Sequence, residues 1–228
     1  MFELILIAIL SYLLGSIPFS YLVARAYSKN LYEIGSKNIG AANVYRATGK
    51  IEALLMAVIG DIGKGTLSIF LAQRLGLRCD PIFVQAVAAF FVVLGHNWPI
   101  YLNFKGGRGL ASLAGVIIAL NWKLIFLVLL TIGFFIFLTE LIMRKKITLK
   151  GKGKEKINPV RNNTSNGVKG LFSIFISQVA GRMIGILAAV ILVLVLYPEI
   201  FKIVLPAVIL SAIKHIKRTK TFLEGGRV

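Results

Sequence analysis

Long apolar runs separated by short polar stretches dominate this chain, and seven can be drawn at residues 2–24, 51–72, 81–95, 110–120, 124–142, 171–196 and 200–213. A helix needs ~20 residues to cross the hydrocarbon core of a bilayer. The first, second, fifth and sixth runs reach or approach that length. The third, fourth and seventh fall short, and predict helices that are tilted, re-entrant or extended into the adjoining loops. The pattern predicts an all-α, polytopic integral membrane helix bundle with about seven transmembrane helices, in a single membrane domain over residues 1–228. Five spans is the alternative count. The first run has no basic residue ahead of it, Glu3 being its first charged side chain, and is expected to be a retained span and not a cleaved signal.

Composition leaves little room for a soluble domain: 57% of the 228 residues are hydrophobic, against the ~45–50% usual in soluble proteins. Charge adds an orientation. The net charge is +18 although only 16% of residues are charged. If the N-terminus lies outside, one set of connections carries 21 Lys and Arg residues and the opposite set carries 4. Basic loops stay in the cytoplasm. The expected orientation is therefore N-terminus outside and C-terminus cytoplasmic, multi-pass in the cell (inner) membrane. Every polar, glycine-rich segment then opens on the cytoplasmic face. In so apolar a chain the basic surplus reads as topology and as contact with anionic membrane lipids, with no role for nucleic acid. Residues 144–170, rich in Lys, Gly and Asn, are expected to form a flexible basic cytoplasmic loop. A lone cysteine, Cys79, excludes an internal disulfide, and two histidines without a carboxylate cluster give no metal site.

Three polar constellations interrupt this pattern. The first is Gly35-Ser36-Lys37-Asn38-Ile39-Gly40-Ala41-Ala42-Asn43-Val44-Tyr45-Arg46. Its small residues leave space, Ser36, Asn38 and Asn43 offer neutral hydrogen bonds, and Arg46 offers a planar fork suited to phosphate. A Gly/Ser/Asn surface turn is the plainer reading. The second, Gly60-Asp61-Ile62-Gly63-Lys64-Gly65, puts a charged pair at i, i+3 inside an apolar run. Ionisable groups at such depth are costly and face a polar interior or a site. Mutual neutralisation between packed helices is the favoured reading, with Lys64 as an added phosphate contact. The third runs from Gly95 to Gly109 and contains His96, Asn97, Lys105, Gly106, Gly107, Arg108 and Gly109. Glycine lets backbone N–H groups approach an anion, and Lys105 and Arg108 supply countercharge. A basic turn that only obeys topology is the alternative. His96 is a candidate general base or substrate contact, or a structural interfacial histidine. The loop lacks the glycine spacing and the Ser/Thr of a nucleotide-binding P-loop. Further along, Ser177 is a candidate ligand donor, and Arg182 is not expected to face lipid.

Taken together, these motifs resemble the bacterial acylphosphate-dependent glycerol-3-phosphate acyltransferases. The likeness runs in order through Gly15-Ser16-Ile17-Pro18-Phe19-Ser20-Tyr21-Leu22, Gly35–Arg46, Asp61-Ile62-Gly63-Lys64-Gly65 and Gly95–Gly109. The resemblance implies transfer of a fatty acyl group from acyl phosphate to the 1-hydroxyl of glycerol 3-phosphate, giving lysophosphatidic acid and phosphate. It places Ser36 and Arg46 in one substrate-binding motif and Lys105 in a second. It implies no cofactor. Its partners would be glycerol 3-phosphate, fatty acyl phosphate and membrane lipids, with the enzyme that makes the acyl phosphate as a candidate protein partner. Acyl phosphate is already activated, so no protein nucleophile is required, and the demand is for positioning and charge stabilisation. The proton acceptor is open between His96, His215 and a substrate phosphate oxygen.

The second half departs from the family pattern. Near the C-terminus, His215, Leu223 and Gly225 fit the third family motif, but Arg218 stands where an Asn is usual, Thr221 for Arg and Arg227 for Glu. A catalytically impaired member of the family is thus one alternative. A transporter or channel for a phosphorylated metabolite, its path lined by Asp61, Lys64 and Arg182, is another.

Overall fold

Among the residues described, every regular element is a helix. The computed structural model describes residues 1–152 and 184–223, with side chains over 1–142 and 184–214. The first apolar run is two helices, α1 (Phe2–Ser16) and α2 (Phe19–Ala26). Pro18 makes the break: it has no N–H to give the ladder and biases Ile17 to an extended conformation. Short α3 (Ala41–Thr48) ends at Gly49, whose φ of 68° is the left-handed conformation that glycine adopts at little cost. The second run forms α4 (Ile51–Leu75). Helix α5 (Pro81–Asn97) starts where Asp80 accepts from the Phe83 N–H at 2.8 Å and Pro81 takes the first turn. A 3-10 turn at Ile100–Leu102 follows, so the short third run does extend into its motif loop. Then come α6 (Leu110–Leu120), α7 (Trp122–Lys152), α8 (Ile184–Leu196) and α9 (Pro198–Leu223).

The all-helical membrane architecture is as expected. Among the described residues, four stretches are long and apolar enough to cross a membrane: Phe2–Ala26, Ile51–Leu75, Pro81–Leu102 and Trp122–Ile142. Helices α6 and α8 are shorter apolar helices. Helix α7 runs on to Lys152, so the first part of the segment expected as loop is helical in backbone. Its Lys, Arg and Leu residues are good helix formers, which the polar-loop reading discounted. The remainder of that loop, with Ser177, Arg182 and residues 224–228, lies outside the described residues, as does the side chain of His215 on α9.

The chain divides into two units. The first comprises Met1–Trp122 with Pro198–Val228, the second Lys123–Tyr197. In the first, α1 packs on α5, α4 on α6, and α5 on α9. Glycines bring these backbones together. A β-carbon on Gly65 would meet the Ser112 carbonyl, and one on Gly115 would meet the Ile62 carbonyl, so α4 and α6 interlock reciprocally. Gly15 against Val92 and Gly95 against Tyr12 do the same for α1 and α5. Between membrane helices such close van der Waals contact substitutes for the hydrophobic drive that lipid removes. Thr66 Oγ1 adds a 3.0 Å bond to the Gly115 carbonyl. An apolar core of Ile7, Ile69, Val92, Val93, Val116 and Val204 fills the centre. Ile59 and Leu55 on α4 stay exposed, the side a bilayer would cover. In the second unit, Gly185 of α8 meets the backbone of Ile132 on α7.

Candidate functional site

The break at Pro18 leaves backbone carbonyls at the end of α1 without helical partners. Lys64 satisfies two of them: its Nζ donates to the Gly15 and Ile17 carbonyls, each at 2.9 Å. The same ammonium lies 3.0 Å from Asp61 Oδ1. Ser20 Oγ donates to Asp61 Oδ2 at 2.7 Å, so α2 is fastened to α4 as well. Both charged side chains are buried. The pair therefore acts as the internal splice of a broken helix, and the Lys64 ammonium is committed to these three acceptors.

His96 extends the network. Its Nδ1 lies 3.6 Å from Asp61 Oδ1 and 3.2 Å from Ser112 Oγ on α6. Which partner of the Ser112 contact donates is set by the imidazole tautomer. Held on that edge, the ring presents Nε2 to the glycine loop. The Gly107 N–H donates to the His96 carbonyl at 3.0 Å, and a β-carbon at Gly107 would collide with His96 Nε2 and the Ile39 carbonyl. A β-carbon at Gly106 would strike the His96 carbonyl and the Pro99 ring. Glycine is required at both positions because the loop lies directly on the end of α5.

The first motif is organised from within. Asn43 is buried, and its amide is fully engaged by backbone. Oδ1 accepts from the Ser36 N–H at 3.0 Å, while Nδ2 faces the carbonyls of Leu31, Ile34 and Asn38 at 3.2, 3.0 and 3.1 Å. Asn43 was expected among the ligand contacts; its hydrogen-bonding capacity instead shapes the loop that carries Ser36 and Asn38. Gly35, at φ 58°, passes so close to the Asn43 side-chain oxygen Oδ1 that no side chain fits.

The two motifs meet. Ile39 of the first touches Gly107 of the second. Tyr32 Oη donates to the Lys105 carbonyl at 2.8 Å. Arg108 is held below the usual guanidinium range by burial first and by the charge of Arg46 second. The Arg108 Nε has no hydrogen-bond partner among the described residues. A guanidinium with an unmet buried donor suits an anion. A small cleft lies between the end of α1 and the glycine loop, lined by Gly15, Ser16, Ile39, His96, Gly106 and Gly107, with Asp61 and Lys64 in its wall. Asn97, next to His96, is fully buried with both amide atoms unpartnered among the described residues. The Asn97 backbone carbonyl accepts from Lys214 of α9 at 2.8 Å, and that ammonium lies 4.6 Å from the centroid of the Trp98 ring. Gly109, at φ 81°, turns the chain into α6.

The structure thus gathers His96, Gly106 and Gly107 at the cleft, with Ile39 of the first motif. It commits Asn43 and Lys64 elsewhere. Tyr32 and Ser112 were not singled out from the sequence. A tyrosine in a loop and a serine in an apolar helix carry no local signal, since their contacts arise from tertiary folding.

The sequence profile of the glycerol-3-phosphate acyltransferase family matches residues 5–150, the stretch that holds all of these motifs. The chain belongs to the glycerol-3-phosphate acyltransferase family. A relative of that description from Rubrobacter xylanophilus is 47% identical over 116 residues, covering 51% of this chain and 56% of the relative. One from Wolbachia pipientis subsp. Culex pipiens is 45% identical over 141 residues, covering 59% of this chain and 70% of the relative. Against the Rubrobacter protein, then, the chain spans little more than half of the relative's length. The crystal structure of PlsY, an integral membrane glycerol 3-phosphate acyltransferase, is similar in fold over 99% of this chain and 94% of that one. In its lysophosphatidic acid form the TM-score is 0.65 at 22% identity. In its glycerol 3-phosphate form the TM-score is 0.61 at 24% identity. Among the described residues, the likeness in fold takes in α8 and α9, beyond residue 150 where the family match stops.

Proposed function

We propose that this protein transfers a fatty acyl group from acyl phosphate to the 1-hydroxyl of sn-glycerol 3-phosphate, forming lysophosphatidic acid and inorganic phosphate, the first step of phospholipid synthesis. The observation that carries this reading is the docking of two basic motifs on one another, with Gly107 against Ile39 and His96, and with the Tyr32 hydroxyl, from the loop of the first motif, on the Lys105 carbonyl at 2.8 Å. Relatives described as glycerol-3-phosphate acyltransferases, and the glycerol 3-phosphate and lysophosphatidic acid forms of PlsY, support the choice of acceptor and product. The surplus of basic residues on one set of loops supports a site that faces the cytoplasm.

Both substrates carry phosphate, so two anions must lie within a few ångströms of each other. Arg46, Lys105 and Arg108 offset that repulsion, and Ser36, Asn38 and Asn97 supply neutral hydrogen bonds. The N–H groups of Gly106, Gly107 and Gly109 add donors that need no reorganisation. Ser177 and His215, in the late spans, complete the candidate set of substrate contacts. The acceptor hydroxyl oxygen forms a bond to the acyl carbonyl carbon, and the carbonyl–oxygen bond to phosphate breaks, the electron pair leaving with phosphate. Asp61 and Ser112 hold the Nδ1 edge of His96, which leaves Nε2 to accept the hydroxyl proton. The acyl chain lies between helices, open to lipid.

The test is phosphate release from a long-chain acyl phosphate by the purified protein, with and without glycerol 3-phosphate. Release that requires glycerol 3-phosphate and yields its acyl ester is the expected result. No release from folded, monodisperse protein would overturn the proposal.

A further inference from the structure

Lys105 sits at the end of a strained turn. Asn103 and Phe104, immediately before it, have φ of 48° and 60°. Two consecutive non-glycine residues in the left-handed region are unusual, and for a side chain as bulky as Phe the conformation is a true outlier. The turn is closed by hydrogen bonds from the Phe104 N–H to the Pro99 carbonyl and from the Lys105 N–H to the Leu102 carbonyl, each 3.0 Å. The Phe104 ring is exposed, so its own burial does little to hold the conformation.

The bond that ties this turn to the rest of the site comes from far away in sequence. Tyr32, in the loop between α2 and α3, donates its hydroxyl to the Lys105 carbonyl at 2.8 Å. Tyr32 is itself fixed. Its ring lies 5.9 Å from that of Tyr21 on α2, and its N–H donates to Asn30 Oδ1 at 3.2 Å. Burial, with Tyr21 as a lesser contribution, raises the Tyr32 pKa. The loop that carries Tyr32 also carries Ser36 and is shaped by Asn43.

We propose that Tyr32 is a positioning residue: its hydroxyl locks the strained 99–105 turn against the first motif and so sets where the Lys105 ammonium stands relative to Ser36 and Arg46. The inference rests on the reading of Lys105 as a charge-stabilising group for acyl transfer. A strained turn persists only where its surroundings over-determine it, and this hydrogen bond joins the turn to the loop that carries the other basic motif. Without it the turn relaxes, and the ammonium on its long side chain samples positions away from the phosphate.

The experiment measures glycerol 3-phosphate-dependent phosphate release from a long-chain acyl phosphate by the full chain. Four proteins are compared: parent, Tyr32→Phe, Lys105→Ala and the double variant, each assayed well below its thermal midpoint. Tyr32→Phe removes one oxygen and keeps the ring. It is expected to lower kcat roughly three- to tenfold, in line with one lost hydrogen bond that orients a catalytic group. In the Lys105→Ala background the same change should have no further effect, because no ammonium is left to misplace. A merely structural tyrosine would lower activity by the same factor in both backgrounds, and that outcome overturns the proposal. So does parental kcat in Tyr32→Phe when Lys105→Ala is strongly impaired. Parental activity in Lys105→Ala would instead bring down the assignment of Lys105, and this inference with it.

Discussion

Gly107 rests directly on the imidazole of His96: its N–H donates to the His96 carbonyl at 3.0 Å, and its α-carbon faces Nε2 with no room for a methyl group between them. The Ile39 carbonyl crowds the same β-carbon position. One glycine is thus the joint between the end of α5 and both basic motifs. Gly107→Ala must displace the loop or turn the histidine. A misplacement of about 1 Å costs on the order of a hundredfold in rate. Acyl transfer should fall by that factor while helical content by circular dichroism stays at the parental level. Activity within twofold of the parent would mean that the loop is free to shift without consequence, and would undo the close-packed description of the cleft.

Lys105→Ala should remove charge stabilisation for phosphate in the transition state. By analogy with the loss of one oxyanion donor the cost is about 2–4 kcal/mol, on the order of a hundred- to a thousandfold in kcat. The Lys105 side chain is exposed, so stability should change little. Initial rates at saturating substrates, set beside thermal midpoints, separate the two effects. Turnover near the parental value would remove Lys105 from the reaction.

How much of this was legible beforehand differs by level. The helices were, because a bilayer forces apolar backbone into long helices and the runs record it. The break at Pro18 was passed over, since Ile17-Pro18-Phe19 is apolar throughout and a hydropathy pattern does not see a missing N–H. The helical course of α7 to Lys152 was also unforeseen: Lys-rich sequence reads as solvated loop although Lys and Arg favour helix. At the site, residue types were informative and directions were not. Ser36, Arg46 and Lys105 stand out as phosphate chemistry wherever they point. That Asn43 turns its amide to four backbone groups depends on the path of the loop around it, which no local spacing encodes. The Tyr32–Lys105 bond spans 73 residues, and nothing in either segment announces it.

Asn43→Asp replaces a double donor with an acceptor opposite three carbonyl oxygens while keeping the shape and the acceptor for the Ser36 N–H. Each buried group left unsatisfied costs about 1–3 kcal/mol. The loop between α2 and α3 should therefore loosen, seen as faster backbone amide exchange at residues 34–38, and activity should fall through a higher KM for glycerol 3-phosphate as Ser36 loses its position. If Asn43 instead touched substrate and had no part in the loop, exchange would stay at the parental rate while KM rose.

The Asp61–Lys64 pair gives the sharpest contrast between charge and fold. Each ion is buried and each is the other's main compensation, at 3.0 Å. Removing one partner of a buried pair costs about 3–5 kcal/mol, because the remaining charge is left in a low-dielectric interior. Asp61→Asn strands the Lys64 ammonium on two carbonyls. Lys64→Met leaves the Asp61 carboxylate with only Ser20 and the imidazole of His96, and frees the Gly15 and Ile17 carbonyls. Both single variants should lower the thermal midpoint in detergent. The double variant, Asp61→Asn with Lys64→Met, carries no stranded charge and should melt above Lys64→Met, though below the parent because the two carbonyls at the α1 break stay unpaired. Midpoints of the three variants decide it. If the double variant melted at the sum of the single losses, the two charges would be acting independently, and the ion pair would not be what joins α1 and α2 to α4.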